Sequence, residues 1–316
     1  MKFDKKFFSV KEGFAPLFVI IGASLWGVDG IVLRPALFGL PVPLVVFVES
    51  TLVALLLSPY FMRQLPILKA LKHKDWLAFF LVALFGGAIG TMAITKALFY
   101  VNFVNLSVVI LLQKLQPVFA ITLAAIFLKE KLSGQFFLWA VLAVIGAYFM
   151  TFGTNLPDFT TGDKTTMAAL FALLAALSFS SSTVLSKRAL QNVSFEMGTY
   201  LRFLFSAVIM MVLVVSLGDI KSISEITTKQ AVVFLIIAFT TGGAAIFLYY
   251  YGLKRITASV AAICELAFPL VAVVLEYIVH DKILGPVQWV GVIILLFSII
   301  KVSGINTSPW VKEKRA

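Results

Sequence analysis

A single cysteine, Cys264, and two histidines, His73 and His280, are all this chain offers as soft metal ligands. One cysteine excludes a disulfide framework and any multi-cysteine metal site. His73 and His280 fall at expected loop ends, and no HExxH or Walker A pattern is present, so no cofactor is implied. Charge is scarce as well: 13% of the 316 residues are charged and 61% are hydrophobic, whereas a soluble domain is nearer half apolar and a quarter charged. Acids are outnumbered, 15 against 26 Lys and Arg.

What is there is apolar sequence in long runs, with a mean hydropathy of +1.03. A spanning helix needs roughly 20 mostly apolar residues. Such segments recur along the whole chain and lack the two-residue alternation of barrel strands. The spacing predicts ten helices, near 16–38, 43–62, 76–101, 104–128, 134–153, 165–189, 196–217, 230–252, 256–279 and 285–303. Pro41 and Pro43, Pro66, Gly153 with Pro157, and Gly285-Pro286 mark the cuts. The basic run Lys2 to Lys11 precedes an apolar stretch with no cleavage pattern, so that stretch reads as the first helix.

Lys and Arg crowd alternate ends of these helices, as at Lys69 to Lys74, Lys129, Lys131, Lys187-Arg188, Lys254-Arg255 and the tail. The opposite ends hold Arg34, Lys164, Lys221, Lys229 and Lys282. This bias predicts both termini in the cytoplasm and a plasma-membrane location. It also explains the net charge of +11 by a basic face toward anionic lipid, without a nucleic-acid partner.

The halves repeat. At an offset of 152 residues Gly90 meets Gly242, Ser107 meets Ser259, Pro117 meets Pro269 and Gln113 meets Glu265. At 153, Trp26 meets Phe179, Arg34 meets Lys187 and Glu49 meets Arg202. Five spans per half is an odd number, so the second copy enters the membrane from the opposite side. The expected fold is an all-α integral membrane protein, with ten transmembrane helices as two inverted five-helix repeats around a central cavity. Its parts are a segment 1–15, a first repeat 16–153, a linker 154–164, a second repeat 165–303 and a basic tail 304–316.

Ionised side chains inside a bilayer cost at least about 2.5–3.5 kcal/mol, so they face a partner or a wet cavity. Lys114 and Glu265 fall near mid-depth, each close to a mid-helix proline, Pro117 or Pro269, that frees a carbonyl and bends its helix. They are the leading solute-binding candidates. Asp29, Glu49 and Lys96 in the outer half and Arg202 in the inner half are further candidates, either for solute contact or for static ion pairs. Trp26, beside Gly27, is the favoured aromatic among Tyr100, Phe247, Tyr249, Tyr250 and Tyr251. The run Ser178 to Thr183 makes the sixth helix polar enough for a cavity wall.

Leu25-Trp26-Gly27, Leu115-Gln116-Pro117-Val118-Phe119-Ala120 and Leu128-Lys129-Glu130-Lys131-Leu132 carry a family resemblance. Glu265-Leu266-Ala267-Phe268-Pro269-Leu270 and His280-Asp281-Lys282-Ile283 repeat it in the second half. The chain resembles the EamA-type carriers of the drug/metabolite transporter superfamily over about 16–303. The resemblance implies ten helices, two repeats and ATP-independent export of metabolites. It departs at Glu49, where the family often has an arginine.

The expected function is therefore secondary transport, by alternating access, of a small polar metabolite. The mixed charges favour an amino acid or similar zwitterion leaving the cell. The alternative is an organic anion, phosphorylated or nucleotide-linked, held by Lys96, Lys114 and Arg202. A non-transporting structural or receptor-like protein would need neither the repeat nor the buried charges. An enzyme would need a nucleophile beside Asp29 and Glu49, and none accompanies them. Besides solute and lipid, a coupled proton on Glu265 and a homodimer complete the partners this reading admits.

Overall fold

The computed structural model describes residues 14–62, 71–100, 109, 112–156, 163–280 and 283–304. Every regular element among them is helical. The first four are α1 (Ala15–Leu37), α2 (Val42–Met62), α3 (His73–Tyr100) and α4 (Gln116–Leu128). They are followed by α5 (Gly134–Phe152), α6 (Asp163–Ala189), α7 (Phe195–Leu217) and α8 (Thr228–Leu253). The last three are α9 (Ala258–Cys264), α10 (Ala267–His280) and α11 (Pro286–Ser303). Nine spans among the described residues are long and apolar enough to cross a bilayer. Much of the fourth expected span, the linker and both terminal segments lie outside the described residues.

Local chemistry sets the ends. Ser133, Ser194 and Thr227 accept the N–H three residues on and so cap α5, α7 and α8. Gly218 closes α7 with φ +78°, the left-handed turn that a Cβ disfavours. The outward faces carry the apolar load: Leu138, Val141 and Ile145 on α5, Val208, Met211, Val212 and Val215 on α7, and Ile293, Phe297 and Ile300 on α11 are exposed. Around a soluble core such a surface would aggregate; facing lipid it is matched.

Helix pairing follows the repeat. The closest partners are α5 with α11, α1 with α8, α2 with α7 and α3 with α6. Exchanging the copies turns α1–α8 into α6–α3 and returns the other two pairs to themselves. Small residues permit these approaches. A Cβ on Gly146 would lie 2.8 Å from the backbone nitrogen of Leu295, and one on Gly22 would lie 2.8 Å from the carbonyl of Ala245.

Two features depart from straight helices. The span expected at 256–279 is two helices, α9 and α10, with a turn at Glu265-Leu266. A matching turn at Lys114-Leu115 precedes α4. Pro117 and Pro269 follow these turns by two residues or three; lacking an N–H, each cannot close the helix across the break. Stretches with i→i+5 bonding interrupt α1 at Asp29–Leu33, α3 at Ala83–Ile89, α4 at Ala124–Leu128 and α8 at Ala238–Gly242. Those in α3 and α8 stand at equivalent places in the two halves.

Candidate functional site

The turn between α9 and α10 leaves the Glu265 side chain projecting at the centre of the bundle, where it is 8% exposed. Its Oε1 accepts the Tyr249 hydroxyl of α8 at 2.6 Å and the Thr183 hydroxyl of α6 at 3.3 Å. Its Oε2 accepts the Gln116 amide of α4. All three donors are neutral, so hydrogen bonds rather than a direct ion pair hold this carboxyl group. Ser180 holds the Gln116 carbonyl at 2.8 Å, which anchors the first turn of α4 after its break. Trp26 of α1 lies 5.2 Å from the Tyr249 ring, tilted by 51°. One indole, one phenol, one amide and one hydroxyl from four helices, with the carboxylate of the α9–α10 turn, thus meet at one place, drawn from both halves.

Arg202 forms the next part of the same layer. Its Nη1 donates to Ser182 at 3.4 Å and to the Tyr250 hydroxyl at 3.3 Å, and Tyr250 exchanges a hydrogen bond with Ser186 at 2.8 Å. Arg202 is near enough to attract the charge of Glu265. The polar run on α6 is thereby explained: Ser180, Ser182, Thr183 and Ser186 each serve a different neighbour across the bundle.

Lys114 is buried beside the other break but has its own partners. Its ammonium donates to Thr151 of α5 and lies 5.8 Å from the Phe152 ring centroid. Lys114 and Glu265, expected to act together, are thus held by different neighbours on different helices.

Asp29 and Glu49 belong to a second cluster. Arg34 Nε donates to Asp29 Oδ2 at 2.7 Å, Nη1 to Thr95 at 3.2 Å and Nη2 to Glu49 Oε2 at 3.4 Å. Nη2 also stands 3.3 Å from Glu49 Oε1, an ion pair without hydrogen-bond alignment. Thr241 of α8 donates to Asp29 Oδ1 at 3.3 Å. Arg34, counted from sequence among the loop charges, is 8% exposed inside the bundle. Five helical residues turn about 140° past a full circle at 100° per residue, so Asp29 and Arg34 look unpaired on an α-helical reading. The i→i+5 stretch between them brings the two side chains to one face.

Lys96 stands apart, exposed, 5.1 Å from the Phe171 ring centroid and 5.9 Å from that of Tyr100. With Val42, Phe99, Tyr100 and Lys164 it lines a cavity of about 250 Å³.

Residues that sequence reasoning quoted without a role are Gln116 and Glu130. Gln116 precedes Pro117 and takes its place beside Glu265 only because α4 restarts there. The Glu130 carboxylate accepts from the backbone of Ala258 at 2.8 Å and of Ser259 at 3.1 Å, and from the Ser259 hydroxyl at 2.6 Å.

The sequence profile of the EamA-like transporter family matches residues 13–152 and again 166–304. A riboflavin transporter of Fusobacterium nucleatum is 47% identical over 291 residues, 92% of this chain and 97% of that protein. An uncharacterised transporter of Bacillus subtilis is 27% identical over 93% of this chain and 95% of its own length. A solved structure with 15% identity superposes with a TM-score of 0.69, covering 91% of this chain and 95% of the other; at that identity it supports the fold alone.

Proposed function

The chain belongs to the EamA-like transporter family, and from that premise we propose a secondary carrier for a flat, hydroxyl-bearing heteroaromatic solute of the riboflavin kind. The observation that carries the reading is the site around Glu265. Trp26 and Tyr249 offer aromatic surface to a planar ring. Glu265 accepts an imide N–H, and the Gln116 amide complements a ring carbonyl through its N–H or donates from the same edge. An isoalloxazine ring presents that donor between two carbonyls, and its ribityl chain would meet the hydroxyls of α6. The solute named for the Fusobacterium relative agrees with this chemistry.

The amino-acid solute expected from sequence is set aside: the relative at 47% identity is named for riboflavin, and Lys114, the cation expected to act with Glu265, is engaged by Thr151 and Phe152. The organic-anion reading keeps one observation in its favour. Lys96 and Lys164, with two aromatic rings, line the peripheral cavity, where a phosphorylated aromatic solute would be drawn.

Two inverted five-helix repeats, making ten helices in all, are the architecture this carrier would use. The exchange-symmetric helix pairs and the two matching breaks support it. Both termini then lie in the cytoplasm, as the basic ends favour. Movement follows the combined gradients of solute and coupled ion in either direction, so efflux is one mode of a reversible carrier.

Binding tests the reading directly. Riboflavin fluorescence should be quenched saturably by the purified protein. Trp26→Leu should lose most of the quenching. Trp289→Leu, on the exposed face of α11, should keep it. Absence of saturable quenching, or equal quenching by both variants, contradicts the proposed solute site.

A further inference from the structure

We propose that the Asp29–Arg34–Glu49 cluster binds one exchangeable proton on Glu49 Oε1, the oxygen that accepts no hydrogen bond among the described residues, making it a coupling-ion site separate from the site around Glu265. The coupling part rests on the carrier reading above; the proton site does not.

Charge comes first. One guanidinium faces two carboxylates, and Asp29, Arg34 and Glu49 are each 8% exposed. The cluster as ionised carries one uncompensated negative charge inside the bundle. Such a charge is costly in a low-dielectric interior, and the usual remedy is to bind a cation.

Geometry selects the atom. Asp29 is saturated: Oδ2 takes Arg34 and Oδ1 takes Thr241. Glu49 Oε2 accepts from Arg34, but Oε1 is buried and has no hydrogen bond among the described residues. A metal cation needs a cage of several oxygens, and the cluster has one oxygen to spare. A proton needs only that oxygen. The charged groups near it are Arg34 of α1, 3.3 Å away, and Asp29 on the same guanidinium; from α7, which packs along α2, Arg202 turns instead to Ser182 and Tyr250. Lys96, next to Thr95, projects outward onto Phe171.

The same two helices carry both sites. On α1, Asp29 follows Trp26 by three residues. On α8, Thr241 precedes Tyr249 by eight residues, about 12 Å at 1.5 Å per residue. Thr241 lies in the i→i+5 stretch of α8 and ties that helix to Asp29 across the repeats. Loss of the proton returns the net charge to the cluster and draws Arg34 toward Glu49. That pull loads the Asp29–Thr241 link, and α8 passes it to the residue that holds Glu265. Occupancy by a proton and occupancy by solute are then linked through α1 and α8.

Infrared difference spectroscopy of the purified protein between high and low pH tests the proton site without any solute. Wild type should gain a protonated-carboxyl C=O signal with one component that is missing in Glu49→Gln and survives in Glu265→Gln. Thr241→Val should move the midpoint of that component's titration, which keeps the test available should Glu49→Gln accumulate poorly. Sodium chloride in place of potassium chloride should change nothing. A band unaffected by Glu49→Gln, or one displaced by sodium, overturns the proposal. In proteoliposomes, an imposed pH gradient should alter riboflavin uptake several-fold in wild type. Glu49→Gln should lose that response while exchange at equal pH continues at a lower rate. A retained response overturns the coupling. Failure of wild type to move riboflavin under any gradient refutes the carrier reading instead, and the infrared result still decides the proton site.

Discussion

The Glu130 carboxylate, in the turn after α4, accepts the backbone N–H of Ala258 at 2.8 Å. It thereby joins the first half of the chain to the first turn of α9 in the second. Ser259 adds a backbone and a hydroxyl donor, and an anion there suits the helix's positive end. Nearby, Lys187 donates to the last carbonyls of α8, Leu253 at 3.0 Å and Lys254 at 3.1 Å. The Glu130 contacts fasten the two halves together, and the Lys187 contacts brace α6 against α8 within the second half, at the end of the bundle where the basic residues gather.

Glu130→Ala removes that fastening. Two buried N–H groups lose their acceptor, at about 1–3 kcal/mol each. The sole cysteine, Cys264, is fully buried one residue before the α9–α10 turn. Its labelling by a membrane-permeant maleimide should rise about tenfold or more in Glu130→Ala. An unchanged rate means the contact does not hold this end closed.

Glu265→Gln keeps the shape of the side chain and removes its charge. A hydrogen bond to a charged group is worth about 1.5–3 kcal/mol, so riboflavin affinity should fall roughly ten- to hundredfold. Lys114→Met should lower accumulation or turnover but leave affinity within a few-fold, since Lys114 is held on Thr151. Fluorescence titration separates the two. Equal affinity losses would place Lys114 at the solute.

Pro117→Ala and Pro269→Ala each restore a backbone donor after a break. If the repeats exchange conformations, the two variants should shift the resting state toward opposite faces and slow turnover more than they weaken binding. Single cysteines in the two vestibules, placed on a Cys264→Ser background, report the shift. Shifts in one direction would mean the prolines only accommodate packing.

Gly146→Leu and Gly291→Leu should each lower the thermal midpoint in detergent by several degrees. Both glycines sit where α5 and α11 touch, and a Cβ on Gly146 already falls 3.0 Å from the Gly291 carbonyl. Overpacking of this kind costs about 1–3 kcal/mol. Leu substitution at lipid-facing Val141 should change the midpoint little.

The spans and their rough ends were legible because a bilayer demands long apolar helices, and their caps follow local chemistry. The constant offset between Pro117 and Pro269 pointed to the two breaks. It did not reveal that the ninth span divides into α9 and α10, because a proline reads equally as a bend. Glu265 and Trp26 stood out as polar or aromatic residues in apolar runs. Gln116 did not, since its role depends on where α4 restarts. Arg34 was misplaced for a definite reason: loop position and α-helical periodicity both set it apart from Asp29, and only the i→i+5 stretch joins them. Lys96 was selected by its charge alone, and its surroundings put it at the rim.

Counterflow tests the central claim most directly. Proteoliposomes containing the purified protein and preloaded with unlabelled riboflavin should transiently accumulate labelled riboflavin from outside, without ATP. Trp26→Leu and Glu265→Gln should reduce that overshoot at least tenfold at equal protein content. No overshoot with wild type, while an amino acid or a phosphorylated metabolite does produce one, would contradict the account.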